Sequence, residues 1–196
     1  MNKDITLQHF VQFSVFEERG YWHLEWMDRD YFNHHSPRKY VSGESVPNPL
    51  HPVQLRIRAG KKRMDFLGNI SIPIVSQHVV DLFTQKGFTG WKTYPVEIFE
   101  KSGEPIREQF FGLAIHGRGG PADLSQGVVK WTDEDEGVRV PLQLNGLYFD
   151  LSKWDKSDIF LLNGSIRTLA SRQVIEAFTA AKFKGWYCTE LSDVRL

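Results

Sequence analysis

A single cysteine, Cys188, occurs in this chain of 196 residues. That excludes an intrachain disulfide, and any four-cysteine or Cys/His zinc site of the usual spacing. A surplus of one charge is missing too: Lys and Arg total 24, and so do Asp and Glu. A dedicated nucleic-acid binder carries a basic excess, so no nucleic-acid partner is expected. No run approaches the ~18 apolar residues of a membrane span. The start "MNKDITLQHFVQF" has neither the apolar core nor the cleavage site of a secretory signal. The expectation is a protein of the reducing cytoplasm with no membrane partner.

What the chain has is aromatic mass and a repeat. Hydrophobic residues make up 41%, with 14 Phe, 6 Trp and 6 Tyr, enough for one substantial core. "SQHVVDLFTQKGFTGW" at Ser76–Trp91 returns as "SRQVIEAFTAAKFKGW" at Ser171–Trp186, 95 positions later, with seven of 16 positions identical. Chance gives about one. Each copy reads as a Ser-led helix followed by a Phe-x-Gly-Trp turn into a strand. Val79, Val80, Leu82 and Phe83 form one apolar face, and Val174, Ile175, Ala177 and Phe178 the other. Gly87 stops the first helix, whereas Lys182 stands at that place in the second. Gly90 and Gly185 are expected in a backbone conformation that a β-carbon disfavours.

Around these units the pattern is mostly β. "HFVQFSVFEE", "GYWHLEWMD" and "VQLRIRA" alternate, as do "REQFFGLAIHG" and "GVRVPLQLNGLYFDL". Residues 33–52, with four prolines, read as a long loop or irregular arm. Pro95 should break or edge the strand "WKTYPVEIFE". The fold expected is α+β: a mainly antiparallel sheet with two similar helix-turn-strand units, the pattern of an internal duplication. It forms a single domain, 1–196, with similar halves at about 1–100 and 101–196.

Catalytic and metal signatures are sparse. "HGRGGP" at His116–Pro121 invites an anion-cradle reading, since glycines let backbone amides approach a phosphate. No Gly-Lys-Ser/Thr follows it, so a hairpin or loop turn is the plainer account. An enzyme built there would use His116, Arg118 and Asp123 on an anionic substrate. His34 and His35 are adjacent and would point to opposite sides of an extended segment, so no metal site is expected. Cys188 reads as a small buried apolar residue, and no serine lies in Gly-x-Ser-x-Gly. Asp155 and Asp158 in "KWDKSD" suit turn capping. The densest charge is Asp133, Glu134, Asp135 and Glu136, beside Trp131. Such a run is a solvated loop or an acidic edge with an aromatic anchor for a basic partner.

Several segments together resemble one family. "FFGLAIHGRGGPADLSQ", "LYFDLSKWDKSDIFLL" and "LASRQVIEAFTAAKFKGWYCTEL" are similar, in that order, to segments of bacterial immunity proteins of the Imm11 type, the DUF1629 group. The resemblance spans about residues 65–191, and the related double-CxxCG group shares the closing pattern. Members of that group carry paired cysteines, so this chain departs from them. The resemblance implies a cytoplasmic, non-catalytic protein without cofactor or metal. It would bind a cognate toxin domain and occlude its active site. Trp131 and Asp133–Glu136 are the candidate docking residues.

Overall fold

Alternating apolar residues build the strands, and three sheets result among the residues described by this computed structural model: 5–16, 18–27, 37–44, 52–68, 72–131 and 141–195. The first stretch holds β1 (Phe10–Val15), β2 (His23–Trp26) and a short helix α1 (Pro37–Val41). The first helical unit follows: β3 (Val53–Ala59), β4 (Phe66–Leu67), β5 (Ile74–Ser76), α2 (Gln77–Lys86), β6 (Trp91–Phe99) and β7 (Phe110–Ile115). Next come β8 (Gly117–Pro121), β9 (Val128–Trp131) and β10 (Pro141–Asn145). The chain closes with β11 (Ile159–Asn163), β12 (Thr168–Ser171), α3 (Arg172–Ala180) and β13 (Trp186–Glu190).

One sheet runs β2-β3-β6-β7-β5-β4, another β13-β1-β12-β11-β8, and β9 pairs with β10 alone. The class is α+β, as expected. Both large sheets are mixed, however, because β3 lies parallel to β6 and β8 parallel to β11. Within the long loop or irregular arm expected over 33–52, a short helix occupies Pro37–Val41, while residues 33–36 and 45–51 lie outside the described residues. Pro37 opens α1, where its fixed φ suits a first helical turn and its missing N–H costs nothing.

Two four-strand blocks match place by place: β6-β7-β5-β4 and β13-β1-β12-β11. Ser76 faces Phe110 as Ser171 faces Phe10, and Trp91 faces Ile115 as Trp186 faces Val15. β1 therefore fills beside α3 the place that β7 fills beside α2. The spatial units thus cut across the chain, with residues 10–15 paired to the C-terminal strands.

The units clasp each other reciprocally. Asp65 accepts from Ser76 Oγ at 3.2 Å within its own unit and from the Lys184 amide of the other at 3.1 Å. Asp158 accepts from Ser171 Oγ at 3.4 Å and from the Thr89 amide at 2.9 Å. The Phe66 amide donates to the Lys184 carbonyl, and the Ile159 amide to the Thr89 carbonyl, each at 3.1 Å. Returned contacts of this kind are the mark of an isologous, twofold arrangement. Ser76 and Ser171 do stand at the N-caps, but their hydroxyls serve these carboxylates and make no helix-cap bond.

The core between the units follows the same pairing. Val79 and Val174 are fully buried, and the rings of Phe83 and Phe178 stack at 5.6 Å. Trp91 Nε1 donates to the Phe88 carbonyl and Trp186 Nε1 to the Phe183 carbonyl. Gly87 ends α2 at φ 68°, and Lys182 adopts φ 57° at the equivalent position, a left-handed turn without the glycine. A second core lies under β2, β3 and α1 around Leu55, Tyr40 and Tyr94, and a third around Phe10, Phe149 and Phe160.

Candidate functional site

The hairpin of β9 and β10 belongs to neither large sheet. Trp131 lies opposite Pro141, Val129 opposite Leu144 and Val128 opposite Asn145. Its exit is tied down: Asn145 bridges Arg195, the Gly146 amide donates to the Val194 carbonyl, and the Leu147 amide to the Leu191 carbonyl. Its approach is fixed by Asp123, whose amide donates to the Tyr148 carbonyl. The chain between Trp131 and Pro141 carries Asp133, Glu134, Asp135 and Glu136. Those four acids and the Trp131 side chain lie outside the described residues. The structure shows the paired strands from which the acidic run departs.

The His116–Pro121 segment is corrected. It is no loop: Gly117–Pro121 form the edge strand β8, beside β11. Its glycines answer to packing. A β-carbon on Gly117 would stand 2.2 Å from the Ile159 carbonyl, and one on Gly119 would stand 2.7 Å from the Phe160 ring. Arg118 is also committed. Its guanidinium donates to the carbonyls of Ile115, Gly117 and Ser42, the last at 2.6 Å, holding the segment after α1 against the sheet.

His116 packs against Gly43, and its Nε2 is buried with no hydrogen-bond partner among the described residues. Desolvation holds its pKa below the usual histidine value, with Lys92 and Arg118 pushing the same way. Asp123 lies seven residues on, past the end of β8 and beyond Gly120, which takes φ 74°. Its carboxylate accepts from Ser125 and Gln126, and those bonds hold its pKa below the usual range. The structure does not bring His116, Arg118 and Asp123 together as an acid–base set.

The Trp-Asp-x-Ser-Asp segment makes turn and inter-unit bonds. Asp155 accepts from the Ser157 amide at 3.0 Å and the Arg118 amide at 2.8 Å, and Asp158 clasps Thr89.

A cleft of about 340 Å³ brings together polar and charged side chains far apart in the sequence: Arg63, Asp65, Ser76, His78 and Glu108. His78 Nδ1 stands 3.9 Å from Asp65 Oδ1. The serine, however, donates to the aspartate and not to the histidine. The other unit serves as an internal control. Ser171 and Asp158 make the same bond with Gln173 where His78 stands, so the Ser–Asp pair is a clasp.

Cys188 corrects another expectation, since it is exposed on β13. Its thiol is held above its usual pKa by desolvation and then by Glu190, with Arg172 opposing. His34 and His35 lie outside the described residues. Among those described, no group of three or more His, Cys, Asp or Glu could hold a metal ion, and no helix is long and apolar enough to cross a membrane. No protein-family model matches the chain, and no curated protein is significantly similar to it.

Proposed function

We propose that this chain is an immunity protein that binds a cognate bacterial toxin domain in the cytoplasm and occludes its active site. The observation that carries the docking site is the acidic run joining β9 to β10, a hairpin separate from both large sheets. An acidic edge on a neutral protein steers a basic partner and speeds encounter, while an aromatic anchor slows release. The ordered resemblance to the Imm11 type supports the toxin as that partner. The commitment of Arg118 and Asp123 to structural hydrogen bonds supports a binder over an enzyme. The two helix-turn-strand units, on this reading, descend from one duplicated ancestor and serve as the scaffold.

The test is a pull-down with the toxin domain encoded beside this chain's gene, followed by binding kinetics at low salt. Changing Asp133, Glu134, Asp135 and Glu136 to their amides should cut the association rate by about tenfold or more. Unchanged rate and affinity would remove the acidic run from the interface. Failure of the wild-type chain to bind any neighbouring toxin would count against immunity itself.

A further inference from the structure

The outer edge of β13 can be read from the backbone register. The Phe16 amide donates to the Gly185 carbonyl, which fixes the parity of the β1–β13 ladder. In an antiparallel pair, hydrogen-bonded positions alternate. Gly185, Tyr187 and Thr189 therefore turn their backbone groups toward β1. Trp186, Cys188 and Glu190 turn theirs outward, and β13 ends its sheet, with no strand paired there among the described residues.

In the other unit the same side of the matching strand is covered, because β6 lies between β3 and β7 and pairs with β3 over Val96–Phe99. The His116 amide donates to the Gly90 carbonyl, so Trp91, Thr93 and Pro95 face outward on β6 by the same parity. Pro95 lacks an N–H on that side, just where the pairing with β3 begins, and Lys92 carries a charge. At the matching positions β13 has Glu190, which keeps its N–H, and Tyr187, which is 47% exposed. The side of β6 that faces away from β7 takes a strand, whereas the matching side of β13 takes none among the described residues.

Charge selects the occupant. Lys182 and Lys184 precede β13, Glu190 ends it, and Asp193 follows, with Arg195 two residues beyond. Such a strand is complementary to itself when run antiparallel, basic end against acidic end. We propose that β13 pairs with β13 of a second copy of this chain, about a twofold axis at Cys188. Trp186 then bonds Glu190 of the second copy, in a ladder of about six backbone hydrogen bonds. Each Glu190 carboxylate, already bridged by Arg172 at 2.5 Å, gains the neighbouring Lys184 of the other copy. The two Cys188 Cα atoms come to about 5.5 Å, within disulfide reach. The pairing does not depend on the toxin reading, and its short ladder suits a reversible dimer.

Sedimentation of the wild-type chain over roughly 1–100 µM should show a monomer–dimer equilibrium. The oxidant diamide should trap the dimer through Cys188. Glu190→Pro places at β13 the proline that β6 has at Pro95 and deletes an outward N–H, and Glu190 already has φ −58°, which proline accepts. This variant and Tyr187→Lys, the copy of Lys92, should each weaken the dimer about tenfold or more and prevent trapping, with unchanged circular dichroism. If Glu190→Pro misfolds, Tyr187→Lys decides. A wild-type chain that stays monomeric throughout overturns the proposal. So does a dimer that the folded variants leave intact and diamide does not trap.

Discussion

Phe83 and Phe178, 95 residues apart, stack on each other at 5.6 Å with 14° between their rings, each at the same position of its own helix. An aromatic pair of this kind adds about 0.5–1.5 kcal/mol beyond its buried area. It also places the two helices back to back across the approximate twofold. Phe178 meets Phe13, Phe66, Phe183 and Trp186 as well, so the pair is the centre of an aromatic cluster.

Stacking of the two rings predicts a coupled cost. Phe83→Leu and Phe178→Leu should each destabilise by about 1–2 kcal/mol, measured by urea unfolding. The double variant should fall short of the sum by about 0.5–1.5 kcal/mol, because the second change removes a partner already lost. Additive effects would mean that the rings are not coupled.

The two clasp glycines should be far less tolerant than the helix stop. A β-carbon on Gly90 would come 2.0 Å from the Ile159 carbonyl, and one on Gly185 would come 2.1 Å from the Phe66 carbonyl, both at positive φ. Gly90→Ala and Gly185→Ala should lose about 3 kcal/mol or fail to fold. Gly87 has open space around it, so Gly87→Ala should cost only the ~1 kcal/mol of a left-handed alanine. Thermal melts of the three variants compare them directly.

His116 should make stability depend on pH. Desolvation, Lys92 and Arg118 hold its folded pKa below the 6.5 of an unfolded histidine. Between those two values the unfolded chain binds more protons, so stability falls as pH drops below about 6.5 and levels off below the folded pKa. Phe16 holds the equivalent place at the end of β1, which makes His116→Phe the natural control. Unfolding midpoints from pH 7.5 to about 5 should fall less steeply in that variant. Equal slopes would assign the loss to other groups.

The parts legible in the sequence are those set by local pattern. The repeat, both helices and the glycines at Gly90 and Gly185 follow from spacing and backbone restriction, whereas Pro95 neither breaks nor edges its strand: β6 runs through it between β3 and β7. What escaped is set by long-range partners. β1 and β7 fill matching places, yet "FVQFSV" and "FFGLAI" share only their first residue, so composition hides the equivalence. Gly117 and Gly119 read as loop residues, because glycine signals a turn unless one knows that Ile159 and Phe160 lie over them. Cys188 looked buried by residue type, while its exposure follows from β13 being an edge. The pairing of Ser76 with Asp65 looks like capping until the second unit shows the same clasp. The acidic run was visible as charge, and the hairpin that holds it emerged only from the pairing of β9 with β10.

The most direct measurement of the central claim is growth rescue. The product of the gene neighbouring this chain's own is induced in a sensitive bacterium, with and without the chain. The account predicts that co-expression restores growth and that the purified proteins form a stable complex with the toxin's activity suppressed. Growth arrest that persists despite well-expressed, folded protein, with no complex in solution, would contradict it.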